Sequence, residues 1–199
     1  MLRKLSIISA FSLLALGLFV LPSFTMYPEK GVYIDRAQEQ KALVLLNKVR
    51  QDPNSYSERY GVSLRGISPR PNLIWNDSLA AVAERKAVSM AYNGYFGHVD
   101  PKGYGINYYV NRAYPISDDL LKDKKLSTLE AIQGGAPSGE GAIKYIVTNY
   151  NNEDATGRQL ILGEGDFNGS LNEVGIGYVH ATTSTKYQSY TVIILAKRK

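Results

Sequence analysis

Two segments in the last quarter of the chain constrain its fold more than any other feature. Within residues 172–181, NEVGIGYVHA, every second residue from Val174 to His180 would lie on the same face of a strand. Residues 186–198, KYQSYTVIILAKR, form a β-branched run that is apolar on both faces. Such a run is typical of a strand at the centre of a sheet, where both faces are buried.

Helical patterns precede these strands and cover about residues 35–51, 76–93 and 140–151. Asp35 begins the first with a capping-box pattern, and Gly94 is a natural terminating residue for the second. Each pattern places apolar residues along one stripe. Helices first and strands last predict an α+β fold, with helices packed against a mostly antiparallel sheet.

Three other segments are expected to be irregular. Pro53 is expected to end the first helix, and a loop rich in Ser, Pro and Gly follows through residue 72. The glycines and the proline between positions 94 and 105 argue against a long regular element there. The glycines of residues 163–169, GEGDFNG, are typical of a turn.

The first 25 residues have the layout of a secretory signal peptide. Arg3 and Lys4 precede an uncharged apolar run of about 17 residues, which is also the lower limit for a membrane span. An uncleaved anchor is therefore the alternative. Residues 30–199 contain no repeat or low-complexity linker and are predicted to form a single domain.

The composition limits the chemistry that this chain can perform. Its two histidines are His98 and His180, and it has no cysteine, which excludes disulfides, thiol nucleophiles and zinc fingers. No run of Lys and Arg is interleaved with aromatic residues, so nucleic acid is not an expected partner. An exported chain without cysteine fits a secreted, periplasmic or cell-envelope protein of bacteria.

His98 lies in residues 95–115, YFGHVDPKGYGINYYVNRAYP, which are rich in tyrosine. These tyrosines either pack the loop against the sheet or line a groove for a lipid or a glycan. His98 is either a structural residue, hydrogen-bonded to Glu130 or to the backbone, or part of a functional pair with Glu130. On its strand, His180 is expected to have a structural role.

Five co-linear motifs, VRQDP, LIWNDSLAAVAERKAVSMA, GHVDPKG, LEAIQGG and NEVGIGYV, together resemble the CAP superfamily. That family includes sperm-coating-protein-like (SCP-like) domains, plant pathogenesis-related proteins, insect venom antigens and bacterial relatives. The resemblance covers about residues 36–197. It implies a three-layer α-β-α sandwich with a central cleft lined by two histidines and two acidic residues. In some members this tetrad holds a divalent metal, and in others the fold carries sterols or fatty acids.

The resemblance places His98 at the first family histidine and Glu130, in LEAIQGG, at the first family glutamate. Gly157, in DATGRQLIL, occupies the place of the second histidine. A zinc-like site commonly uses three or four protein ligands, so this loss should greatly weaken metal binding. Any divalent cation held by His98 and Glu130 is expected to be calcium or magnesium, because oxygen ligands would outnumber nitrogen. No other cofactor is expected.

The resemblance also implies the remaining residues of the cleft. Tyr150 is expected in place of a family tryptophan, and Glu153 or Asp154 is the candidate for the second acidic residue. Tyr95 and Tyr104, from the tyrosine-rich segment, complete the predicted ligand cleft.

Three functions remain open at this stage. The favoured one is an exported, non-catalytic binding module whose cleft around His98 and Glu130 holds a small apolar or glycan ligand, or a partner such as a cell-envelope component. The second is a peptidase-like hydrolase that uses His98 as a base oriented by Glu130, with water as the nucleophile. The third is a structural envelope protein with an uncleaved anchor and a vestigial cleft. Most members of the family have no established enzymatic activity, which favours a role other than catalysis.

Overall fold

The fold was analysed in a computed structural model that describes residues 26–27, 31–64, 66–148, 155–182 and 186–197. The strands in these ranges are β1 (Met26–Tyr27), β2 (Val32–Ile34), β3 (Ile74–Trp75), β4 (Glu130–Gly134), β5 (Glu173–Ala181) and β6 (Ser189–Ala196). The α-helices are α1 (Arg36–Gln51), α2 (Pro53–Tyr60), α3 (Asp77–Asn93), α4 (Ile106–Ala113), α5 (Gly139–Val147), α6 (Ala155–Leu162) and α7 (Gly165–Ser170). A 3₁₀ helix spans Asp118–Leu121.

The two C-terminal strands form the centre of the sheet. β5 and β6 are antiparallel neighbours, with Ile176 opposite Ile193, and all eight residues of β6 are buried. The strand order is β1-β2-β5-β6-β4, and β3 pairs in parallel with the start of β5. The other described strand pairs are antiparallel. The predicted central strand and mostly antiparallel sheet are therefore confirmed.

Helices cover both faces of this sheet. On one face, α3 packs so closely on β5 that a Cβ atom on Gly175 would lie 2.1 Å from the backbone nitrogen of Ala80. On the other face, α1 contacts β5, and α5 and α6 contact β4. The molecule is thus an α-β-α sandwich of the α+β class, as the family resemblance implies.

The ends of the two longest helices follow from local side chains. Asp35 caps α1 by accepting a hydrogen bond from the backbone of Gln38 at 3.2 Å, and the Asn76 side chain caps α3 in the same way. Gly94 ends α3 in the left-handed conformation, with φ of 66°. These ends match the predicted ones.

Two segments that were predicted to be irregular instead contain short helices, α2 and α7, whereas residues 94–105 are irregular as predicted and are followed by the short helix α4. Pro53 begins α2 rather than only ending α1, because the first turn of a helix needs no N–H from proline. α4 begins directly after Gly105, the last of the closely spaced glycines. α7 occupies the predicted turn GEGDFNG.

The expected order of helices before strands is also corrected, because β2 precedes α1 and β4 lies between α4 and α5. β4 is formed by the LEAIQGG motif, for which no strand was predicted. The predicted signal segment, residues 1–25, lies outside the described residues, as do Tyr150, Glu153 and Asp154. Within the described ranges, no helix has the length and apolar character needed to span a membrane.

Candidate functional site

His98 and Glu130 are 32 positions apart in the sequence, and their side chains are in contact. Nδ1 of His98 lies 3.0 Å from Oε1 of Glu130. The Glu130 side chain is fully buried at the start of β4, whereas 32% of the His98 side chain is exposed. The imidazole ring therefore connects a buried carboxylate to the protein surface.

Ordered elements hold both partners of this pair. Glu130 is fixed by the pairing of β4 with β6, where it lies opposite Ile194. The backbone oxygen of His98 accepts hydrogen bonds from Nζ of Lys86 at 2.9 Å and from Oγ of Ser127 at 3.1 Å. The loop that carries His98 is thus tied to α3 and to the chain just before β4.

The second carboxylate oxygen of Glu130, Oε2, is buried and has no hydrogen-bond partner among the described residues. Burial raises the pKa of Glu130, while the contact with His98 and the positive charge of Lys86 act in the opposite direction. A buried acceptor without a partner is costly, so native structures rarely leave one unsatisfied. Among the described residues, Oε2 is therefore left open to a further donor.

A cavity of about 490 Å³ adjoins Glu130. Its polar lining consists of Glu130, Ser127, Thr128, Thr156, Gln159 and Asn168. Among the described lining residues, Glu130 carries the only formal charge. Phe167, which is 45% exposed, completes one side. We call this space the Glu130 cavity.

The wall opposite β4 comes from α6 and α7. Thr156 and Gln159 belong to α6, which also carries Gly157, the buried residue at the place of the second family histidine. Phe167 and Asn168 belong to α7. The segment predicted as a simple turn therefore contributes two side chains to the cavity.

The described donors do not fit a metal centre. His98 and Glu130 supply two donor side chains, and Gly157 supplies none. In the described ranges, no group of three or more histidine, cysteine, aspartate or glutamate side chains is arranged to hold a metal ion. Because a bound zinc ion commonly takes three or four protein ligands, no chemical step is assigned to a metal here.

The structure places Tyr95 and Tyr104 away from the Glu130 cavity. Tyr95 lines a second cavity, of about 510 Å³, which has no lining residue in common with the first. Tyr104 stacks on Tyr108, with ring centroids 4.3 Å apart. The tyrosine-rich segment thus packs partly on itself and partly around a separate space.

His180 has structural contacts at the edge of β5. Its Nε2 atom lies 3.1 Å from Oδ2 of Asp35, and its ring stacks on Tyr33 with centroids 4.7 Å apart. These contacts join β5 to β2 and to the cap of α1, which is the kind of role expected from the sequence.

Sequence reasoning missed Lys86, which is only 6% exposed. The sequence did indicate that Lys86 is buried. Lys86 lies three residues after Ala83 and four before Met90, on the apolar stripe of α3. A lysine at such a position indicates a buried ammonium group with a specific environment. Thr156 and Gln159 gave no comparable signal.

Comparisons with known proteins agree with this architecture. The sequence model of the CAP family, described as the cysteine-rich secretory protein family, matches residues 45–194. No curated protein sequence matches the chain.

Solved structures that are similar to this one include two bacterial proteins. An outer surface protein of Borrelia burgdorferi is 12% identical with a TM-score of 0.52, and the match covers 90% of this chain and all 100% of that one. An extracellular SCP-domain protein of Bacillus anthracis is 18% identical with a TM-score of 0.49, covering 89% of this chain and 45% of that one. The Borrelia structure supports the fold, and the family match spans most of the sequence. This chain therefore belongs to the CAP family of cysteine-rich secretory proteins, although it contains no cysteine.

Proposed function

We propose that this protein is an exported, non-catalytic binding protein whose Glu130 cavity takes an uncharged, hydroxyl-rich ligand of the glycan class. The lining of the cavity carries this proposal. One buried carboxylate, with an oxygen that has no hydrogen-bond partner among the described residues, is surrounded by hydroxyl and amide groups, next to an exposed phenyl ring.

The chemistry of the lining matches that of a sugar. A ligand hydroxyl can donate a hydrogen bond to Oε2 of Glu130, while the Thr156 hydroxyl and the Gln159 amide can both donate and accept. The exposed ring of Phe167 offers a surface for the apolar face of a sugar ring. The volume, about 490 Å³, lies in the usual range for small-molecule sites. A sterol or fatty acid would leave these polar groups without partners, which argues against a purely apolar ligand.

Export is proposed from the N-terminal sequence together with the family. Residues 1–25 have the layout of a signal peptide, and the Borrelia neighbour is described as an outer surface protein. The place of action is therefore proposed to be the cell envelope or the exterior.

Titration of the purified mature protein with neutral oligosaccharides tests the binding proposal. Trimers of N-acetylglucosamine, glucose and mannose would be followed by amide chemical shifts. At least one is expected to shift residues around the Glu130 cavity, and Phe167→Ala should weaken its binding about five-fold, roughly 1 kcal/mol. Val44→Ala, which truncates a residue that is 53% exposed on α1 and outside the cavity, is the matched control. Binding by none of the three, or shifts confined to other surfaces, would contradict the proposal.

Hydrolysis is the second candidate, because the His98–Glu130 contact has the geometry of a base held by a carboxylate. The Ser127 hydroxyl is not free to act as a nucleophile, since it donates to the His98 carbonyl and accepts from the Ile106 nitrogen. Water would therefore have to attack. If the wild-type protein hydrolyses a peptide or glycan panel, His98→Ala should abolish the activity, and unchanged hydrolysis would exclude this mechanism.

A further inference from the structure

The second cavity, which Tyr95 lines, has a different character from the Glu130 cavity. It lies between α3 and residues 95–109 and has a volume of about 510 Å³. Three basic residues line it, Arg85, Lys86 and Lys102, against one acidic residue, Asp100. We call this space the Lys86 cavity.

Lys86 is a buried cation that has no close counterion in the described part of the chain. Its Nζ atom donates to the His98 carbonyl at 2.9 Å, and the ring centroid of Tyr95 lies 5.2 Å away. No carboxylate of the described residues forms an ion pair with it within 4.0 Å. An ammonium group has three donors, so its hydrogen-bonding capacity exceeds the one bond that it makes. Buried charges are ordinarily paired, which makes this ammonium a strong candidate for contact with an anionic ligand.

Asp100 is already occupied by the loop that it stabilises. One of its oxygens accepts from the backbone nitrogens of Lys102 and Tyr104, each at 2.9 Å, and the other accepts from the Tyr109 hydroxyl. The negative charges of Asp100 and Glu130 act on the Lys86 ammonium at longer range than a direct ion pair. The cavity therefore keeps a surplus of positive charge that its own carboxylate does not balance.

The remaining walls are apolar or aromatic. Val82 and Ile106 supply aliphatic surface, and Tyr95 and Tyr109 supply aromatic rings. This combination suits a flat organic body that carries a single negative charge.

We propose that the Lys86 cavity is a second ligand site, separate from the Glu130 cavity, and that it binds a small aromatic carboxylate. The carboxylate pairs with the Lys86 ammonium, and the ring packs against the tyrosine and aliphatic walls. The hydrogen bond from Lys86 to the His98 carbonyl orients the ammonium for this contact.

A matched pair of probes tests the proposal. Phenylacetate and its uncharged amide, phenylacetamide, have the same ring and nearly the same shape. Calorimetric and chemical-shift titrations of the mature protein at pH 7 are expected to show at least ten-fold tighter binding of phenylacetate. The changes that phenylacetate causes in the chemical shifts of the protein backbone amides should map to residues around the Lys86 cavity. The backbone amides around the Glu130 cavity should be unchanged.

Variants test whether Lys86 is the group that recognises the negative charge of phenylacetate. Lys86→Met should remove the preference for phenylacetate, whereas Lys41→Gln, the same loss of charge on an exposed residue of α1, should retain it. If Lys86→Met does not fold, the wild-type protein makes the same test, because phenylacetate is expected to shift the side-chain NMR signals of Lys86 several times further than phenylacetamide does. Equal binding of the two probes, a preference that survives Lys86→Met, equal effects of the two probes on the Lys86 signals, or shifts that map to the Glu130 cavity would overturn the proposal.

Discussion

Glu39, on α1, shows how one buried side chain makes the stability of this protein depend on pH. It is 1% exposed, and its Oε1 atom accepts a hydrogen bond from the backbone nitrogen of Tyr178 at 3.2 Å. The pKa of Glu39 is raised from 4.5 to about 8, mainly by burial and to a smaller extent by the charges of Glu84 and Asp35, while the Tyr178 hydrogen bond and the Arg36 charge act in the opposite direction. The folded protein therefore holds a proton on Glu39 across a pH range in which the unfolded chain releases it.

The Glu39→Gln variant is expected to be more stable than the wild type at alkaline pH. Because the folded pKa lies above the unfolded value, the wild type loses stability as the pH rises from 4.5 through about 8. Glutamine stays neutral, so the variant does not lose this stability. The upper bound of the gain at pH 9 is about 5 kcal/mol, and it should vanish near pH 4.

Urea unfolding at pH 4, 7 and 9 measures this difference in the free energy of unfolding. Glu58→Gln, which neutralises an exposed glutamate on α2, is the control and should show no comparable trend. A difference between Glu39→Gln and the wild type that is the same at all three pH values would contradict the assignment.

At the scale of elements, two glycines of β5 allow α3 to pack very closely against the sheet. A Cβ atom would lie 2.1 Å from the α3 backbone at Gly175 and 2.4 Å from it at Gly177. The atoms that these added Cβ atoms would meet belong to the α3 backbone. A side chain at either position would therefore fit only if the whole helix shifted. These two glycines therefore set the distance between the helix and the sheet.

The Gly175→Ala variant should be strongly destabilised, by about 3 kcal/mol or more, because overpacked cores relax only by moving backbone. Gly97→Ala is the matched control, since the nearest atom to its added Cβ would be 3.9 Å away. Its free energy of unfolding should change by less than about 1 kcal/mol. Equal stability of the two variants would show that α3 can move away from β5 at little cost.

At the scale of the whole molecule, β2 ties the start of the described core to its centre. Val32 and Ile34 are buried and pair with the end of β5, and the backbone nitrogen of Asp35 donates to the Tyr178 carbonyl at 2.9 Å. The single domain proposed for residues 30–199 therefore depends on this strand.

Two truncations test that boundary. Removing residues 1–30 should change the midpoint of thermal unfolding by less than about 3 °C, whereas removing residues 1–35 should lower it by roughly 10 °C. The larger loss follows from the buried side chains of β2 and the cap of α1 that Asp35 provides. Similar midpoints for both truncations would place the boundary later in the chain.

Export makes a separate prediction about the N-terminus. When the full sequence is expressed in a bacterial host, the protein outside the cytoplasm should lack about the first 25 residues, measured as intact mass. Retention of the full mass in the membrane fraction would favour the anchored structural role instead.

Features that are encoded in consecutive residues could be predicted without the structure. The double-sided apolar pattern of β6 and the caps at Asp35, Asn76 and Gly94 predicted the central strand and the ends of α1 and α3. Helices of six to eight residues, such as α7 and α2, were missed because short helices are marginal alone and form through packing.

The family motifs in the sequence placed His98 and Glu130 in one cleft. The residues that surround each of them depend on the tertiary structure. Only the fold shows that Tyr95 lines a different cavity from Glu130, and that Lys86 donates to the His98 carbonyl with no close counterion among the residues that the structure describes. The physical reason is that the walls of a cavity come from distant segments, whose relative positions are set by the packing of helices on the sheet.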